Sequence, residues 1–362
     1  MKKILFKGVI IIFLLISVFI LPLFHPAGIA VYFRLFLLLL ILIGSLNLFK
    51  IVFIDNKINK IASNVATVLF SLFVIFILLE IIFMFIPRSH SADYTLASRL
   101  WYAKYWKPIN SLGFRDKEPD NNNPVILFVG DSFTAGHGLK SVDDRFSNIV
   151  GRELNKKEKK YTIINIGLPN LDTRAEYEVM KNFLYLTRIK PEKIILQYCG
   201  NDIEGAAMDE GLIFGGFHPS PDMNKFIVLI GSGSYLLNYI YFLYPREYLG
   251  APYITYLTNA YKNDNILSKH KADLRAFVDY AGKNSIQLIV VVFPFLADTE
   301  MSDSMYVNDI VGFLKANKIS VINVSQLVKD IPVPERIVNK NDTHASKKLN
   351  EIVAREILKK ME

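Results

Sequence analysis

The sequence predicts an α/β protein: a three-layer α/β/α sandwich around a parallel sheet, preceded by three transmembrane helices. Three observations carry this reading. Long apolar runs fill most of the first 90 residues. Beyond Pro124, short apolar runs alternate with segments of helical period. The first of those later runs, 125–129, leads directly into Gly130-Asp131-Ser132.

The apolar runs are 8–24, 30–54 and 65–86. Each is close to or beyond the length needed to cross about 30 Å of hydrocarbon at roughly 1.5 Å per residue. Hydrophobic residues make up 51% of the 362-residue chain and mean hydropathy is +0.27. Both values exceed what a wholly soluble protein carries, and the excess lies in this region. The first run follows Lys2, Lys3 and Lys7 as a signal peptide would. It is longer than the usual ~7–15 apolar residues of such a peptide, and a second run follows after only residues 25–28, so it reads as a retained helix.

Formal net charge is +8, which could suggest a polyanionic partner, but residues 1–62 carry seven Lys and Arg against one acid, Asp55. The remaining 300 residues are near neutral and present no basic stripe, so no nucleic-acid partner is expected. The positive charge instead reports membrane topology. Lys2, Lys3 and Lys7 precede the first run, and Lys50, Lys57 and Lys60 lie between the second and third, whereas the connection between the first two has only His25. By the positive-inside rule the N-terminus and second loop are cytoplasmic, and everything after residue 88 lies outside the cytoplasmic membrane. Two charges interrupt the runs. Arg34 sits near the outer end of the second, where it can snorkel. Glu80 lies deeper in the third, either paired with a neighbouring helix or marking a functional path.

Residues 1–88 thus form a membrane anchor, 89–123 a juxtamembrane connector, and 124–362 a catalytic-size domain with an insertion at 203–262. Strands are expected at 125–129, 162–166, 194–197, 287–293 and 320–323. Helices are expected at 146–155, 174–186, 267–283, 305–316 and 347–360. Thr173-x-x-Glu176 has the spacing of a capping box. Ligands bind such sheets at the C-terminal strand ends.

Those ends carry the chemistry. A serine hydroxyl needs a base to become a nucleophile and must project from the sheet edge, as Ser132 would. On its own Gly-Asp-Ser is a weak signal, because serine after a strand commonly caps a helix. The second strand ends in Asn165-Ile166-Gly167, where a glycine permits close backbone approach. The third ends in Gly200-Asn201-Asp202, with a side-chain amide as donor. Asn341-Asp342-Thr343-His344 precedes the last helix. A nucleophile, a backbone donor, an amide donor and a carboxylate–imidazole pair are the parts needed for acyl transfer through a tetrahedral intermediate.

In these four blocks and their order, residues 125–362 resemble the SGNH (GDSL-like) hydrolase family. The resemblance implies a flavodoxin-like α/β/α fold and ester hydrolysis without metal or other cofactor. It implies Ser132 as nucleophile and His344 as base, oriented by Asp342. The oxyanion hole would comprise Ser132 N–H, Gly167 N–H and the Asn201 amide. The implied substrate is an acylated glycan or lipid of the envelope. The same residues would serve an O-acyltransferase, which would need a partner membrane protein, and a non-catalytic glycan-binding module is the remaining alternative. The chain departs from the family pattern in three places. Cys199 stands where a glycine is usual, Asn170 stands where many members have a second glycine, and Asp342 is two residues before His344 rather than three. Asn341 occupies the three-back position.

Other candidates rank lower. His137 is expected on the substrate side or surface, His218 could line the pocket, Cys199 reads as a small apolar strand residue, and Asp202 as a turn former. The single cysteine excludes an intramolecular disulfide and a Cys-rich zinc site. Eight tyrosines between Tyr235 and Tyr261 suit sugar rings or a lipid interface, or simply cover the sheet edge.

Overall fold

A computed structural model of the chain describes residues 2–24, 29–54, 60–92, 95–215, 231–243 and 247–361. His25, Asp55, Lys57 and His218 lie outside the described residues. The chain divides into two compact units, Met1–Lys104 with Pro221–Pro245, and Tyr105–Ser220 with Arg246–Glu362.

In the first unit, α1 (Lys2–Phe24), α2 (Ile29–Phe49) and α3 (Lys60–Phe83) are the predicted apolar helices, α2 continuing through a π-helical turn at Lys50–Ile54. Three stretches within them, Ile4–Leu21, Ala30–Ile54 and Lys60–Phe83, are long and apolar enough to cross a membrane. Arg34 does not snorkel. It is buried, donates to the Val18 carbonyl at 2.8 Å and pairs with Glu80. Glu80 in turn accepts from Ser234 Oγ (2.7 Å), Tyr235 N (2.8 Å) and Leu236 N (3.1 Å). The carboxylate therefore caps the short helix Tyr235–Tyr241. Two opposite charges in apolar surroundings persist only when paired and hydrogen-bonded, and this cluster meets both conditions. It also explains why part of the insertion groups with the apolar helices.

The second unit is built on a five-stranded parallel sheet in the order β2-β1-β3-β4-β5. The strands are β1 (Val125–Val129), β2 (Thr162–Asn165), β3 (Pro191–Tyr198), β4 (Gln287–Val292) and β5 (Ser320–Asn323). All five match expectation within a few residues. Side chains alternate between the faces of β1. Val125, Leu127 and Val129 join the core beneath helices Thr173–Thr187, Asp264–Lys283 and Asn308–Ala316, while Ile126 and Phe128 pack against Phe146–Leu154 and Lys347–Met361. Strands covered on both faces read as continuous apolar runs, which is why they were visible in the sequence. The strand order reverses between β1 and β3, so their C-terminal ends flank the crevice where sheets of this topology bind ligands.

Two local expectations fail. The helix at Thr173–Thr187 is capped by Asp172, whose side chain accepts from Ala175 N at 3.0 Å. Asp172 is the stronger cap, so Thr173 falls inside the first turn and Glu176 cannot close a capping box. Before the last helix the chain forms a two-stranded antiparallel hairpin, β6 (Ile337–Asn339) and β7 (Asp342–Ala345), where no strand was expected.

The described tyrosines of the insertion are divided between the units. Tyr235 packs among the apolar helices. Tyr256 and Tyr261 fill the core of the second unit, where the Tyr261 and Tyr198 hydroxyls lie 2.6 Å apart. Tyr256 and Tyr261 thus cover the sheet rather than form an exposed aromatic platform.

Candidate active site

Ser132 is the first residue of a one-turn helix, Ser132–Ala135, that starts two residues beyond β1. Asp131 caps it, accepting from Phe133 N at 2.8 Å. Asp131 is held by its own backbone N–H, which donates to Gln197 Oε1 of β3 at 3.0 Å. Gln197 is a polar residue in an apolar strand, and it also accepts from Thr134 Oγ1 at 3.0 Å. The turn that carries Ser132 is thus fastened to β3 from behind.

His344 comes from β7. Its Nε2 lies 2.8 Å from Ser132 Oγ, and its Nδ1 lies 2.6 Å from Asp342 Oδ1. The strand accounts for the two-residue spacing. Side chains at i and i+2 of a strand point to the same face, so Asp342 and His344 meet without a special turn. Asn341, in the turn between β6 and β7, uses its backbone N–H on Asn339 Oδ1 at 2.9 Å.

The residues expected to bind an oxyanion are at the right strand ends but already engaged. Gly167 N–H donates to Asn165 Oδ1 at 3.0 Å. The Asn201 amide donates to Asp131 Oδ2 at 3.1 Å and, more weakly, to the Leu171 carbonyl at 3.4 Å. Gly167 is required for packing: a Cβ there would lie 2.5 Å from Ala135 N and 2.7 Å from Thr134 Cβ. The close approach read from the sequence is made to the helix Ser132–Ala135 itself. Asn165 links these parts, donating to the Thr134 carbonyl and to Ser147 Oγ, both at 2.8 Å.

The family departures have local reasons. Asn170 adopts a left-handed conformation at φ 63°, which asparagine tolerates better than other residues with a side chain. Cys199 is buried at the end of β3, and its backbone N–H donates to Asp202 Oδ2 at 2.6 Å. Behind the site lies a group of buried acids. Burial, then the neighbouring Asp202 and Asp131, raise the Glu176 carboxyl well above its ordinary value. Burial and Asp131 do the same to Asp202. Neither Glu176 oxygen has a hydrogen-bond partner among the described residues.

His137 departs most from expectation. It is buried, 2% exposed, not at the surface. Its ring stacks on that of His344 with centroids 4.2 Å apart and planes at 26°. Its Nε2 lies 3.7 Å from Asp342 Oδ2. The ligating atoms of His137, Asp342 and His344 all lie within 4.8 Å of one another, a donor set that zinc accepts. Two of those three are, however, joined to each other and to Ser132 by hydrogen bonds.

No family model matches the sequence, and no curated protein matches it. Among solved structures, the chain is similar to the lipase/acylhydrolase from Enterococcus faecalis at 14% identity, covering 66% of this chain and 96% of that one with a TM-score of 0.39. A member of the lipolytic protein G-D-S-L family from Veillonella parvula DSM 2008 is 13% identical over 65% of this chain and 96% of that one, with a TM-score of 0.38. An acetyl xylan esterase is 14% identical over 66% and 100%, with a TM-score of 0.40. These likenesses are slight, and no activity or substrate is carried over from them.

Proposed function

We propose that the chain is a membrane-anchored serine esterase of the SGNH kind, which hydrolyses O-acyl esters on an envelope glycan or lipid through an acyl-enzyme at Ser132. One observation carries this: the relay from Asp342 Oδ1 through His344 to Ser132 Oγ, with links of 2.6 and 2.8 Å, at the C-terminal edge of a parallel sheet. Those lengths are hydrogen-bonding distances between a nucleophile, a base and the group that orients the base.

In the reaction, His344 Nε2 takes the proton of Ser132 as its oxygen attacks the ester carbonyl. Asp342 stabilises the imidazolium that forms. His344 then returns the proton to the departing alcohol, leaving the acyl group on Ser132. Water, deprotonated by His344, attacks the acyl carbon; the acyl–Oγ bond breaks, the acid departs, and His344 returns the proton to Ser132 Oγ. The oxyanion is held by Ser132 N–H and by the Asn201 amide, which needs to give up only its long bond to Leu171. Gly167 N–H contributes by sharing its proton between the oxyanion and Asn165. Asn201→Ala is expected to lower kcat by about 10²–10³, the usual effect of removing one such donor. Steady-state kinetics with an activated short-chain acyl ester measures this, and an unchanged kcat removes Asn201 from the hole. Repeating the assay with a sugar acceptor tests the transferase alternative, which requires acyl release to depend on the acceptor.

The extracytoplasmic location rests on the lysine distribution around the three apolar helices. A phosphatase reporter that folds only outside the cytoplasm is expected to be active when fused after Arg88 and inactive when fused after Lys57. The reverse pattern puts the esterase in the cytoplasm and removes the case for an envelope substrate.

A further inference from the structure

We propose that His137 is a positioning residue for the Asp342–His344 couple, a second imidazole that holds the catalytic one in place. This rests on the proposed serine-esterase reaction and adds a fourth side chain to it.

His137 faces the couple in two ways. Its ring covers one face of His344, and its Nε2 stands 3.7 Å from Asp342 Oδ2 while Oδ1 is bonded to His344. Between them, the two imidazoles flank both oxygens of one buried carboxylate. Water is thereby kept from the far side of the pair, which strengthens the attraction between Asp342 and the imidazolium of the transition state. The stacked ring also limits rotation of His344 away from Ser132.

The turn that carries His137 is held for this placement. His137 N–H donates to the Ser132 carbonyl at 2.9 Å. Arg115, itself buried, donates to the carbonyls of Gly136 (2.6 Å) and Leu139 (2.8 Å) on either side, and to Ala135 at 3.3 Å. Its guanidinium lies over Trp106 at 4.8 Å, and the Trp106 ring is 6.2 Å from that of His137. Gly138 follows at φ +81°, and a Cβ there would lie 2.6 Å from Asp342 Oδ2. The turn therefore closes directly onto the carboxylate. A merely space-filling residue would need neither the ring nitrogen facing Asp342 nor four main-chain contacts to fix it.

The test uses the full chain in detergent with His137→Ala, His137→Phe and His137→Gln. Phe keeps the stacked ring without its nitrogens; Gln keeps a polar group without the ring. A displacement near 1 Å in a catalytic group costs on the order of 10²-fold, so Ala is expected to lower kcat by roughly 10–100-fold. KM should stay within about twofold, because His137 acts on the base and not on substrate, and Phe and Gln should each recover part of the loss. The rate of Ser132 labelling by a fluorophosphonate should fall in parallel. If Ala misfolds, the Phe and Gln variants still decide the matter, since both falling below wild type in kcat is expected. Wild-type kcat in Ala, or in both Phe and Gln, overturns the proposal, as does a loss confined to KM. Failure of wild type itself to label at Ser132 would instead overturn the esterase reading.

Discussion

Ser132→Ala is expected to lower kcat by on the order of 10⁶, the scale seen when the nucleophile of a serine hydrolase is removed. The chain of hydrogen bonds from Asp342 to Ser132 Oγ then ends in a methyl group that can neither lose a proton nor attack a carbonyl. Folding should be unaffected, because Ser132 is only half-buried and its side chain holds none of the contacts that fix the turn; those belong to Asp131, Gln197 and Asn165. Steady-state kinetics on the full chain, with circular dichroism as the folding control, measures the effect. Turnover within tenfold of wild type sinks the mechanism.

Asp342→Asn is expected to carry the next largest loss, at least about tenfold and up to ~10⁴, while Asn341→Ala loses less than about tenfold. When His344 takes the serine proton it becomes a cation, and the carboxylate 2.6 Å from Nδ1 stabilises that charge as a neutral amide cannot. An amide can also turn its NH₂ toward the ring and select the wrong tautomer. Asn341 sits in the turn before the strand, with its N–H on Asn339 Oδ1. A crippled Asn341→Ala beside a near-native Asp342→Asn means that another group orients His344.

The sheet was legible because its central strands β1 and β4 are buried on both faces and read as apolar runs, and because β1 leads straight into Gly130-Asp131-Ser132. The blocks that bear Gly167 and Asn201 follow β2 and β3 for the same reason. The hairpin that carries Asp342 and His344 was not legible. Ile337–Asn339 and Asp342–Ala345 are too short and polar to show a strand period, although the Asp-x-His spacing is itself a period-two signal. His137 is buried rather than at the surface; five residues from Ser132, it was set aside because the base must approach from a separate loop. Sequence distance does not reveal that Arg115 folds the intervening turn back onto β7. Arg34 and Glu80 are 46 residues apart, so their pairing depends on helix packing that no local pattern encodes. Asp172 outcompeted Thr173 as a cap by one position, which is within the ambiguity of adjacent capping residues.

The most direct test of the account is peptide mapping by mass spectrometry after the full chain is mixed with an activated short-chain acyl ester and quenched in acid within the first turnovers. The acyl group is expected on the peptide containing Ser132 in wild type. It should be missing from Ser132→Ala. Ester cleavage by wild type with no acyl group on Ser132, or with the group on another residue, contradicts the account.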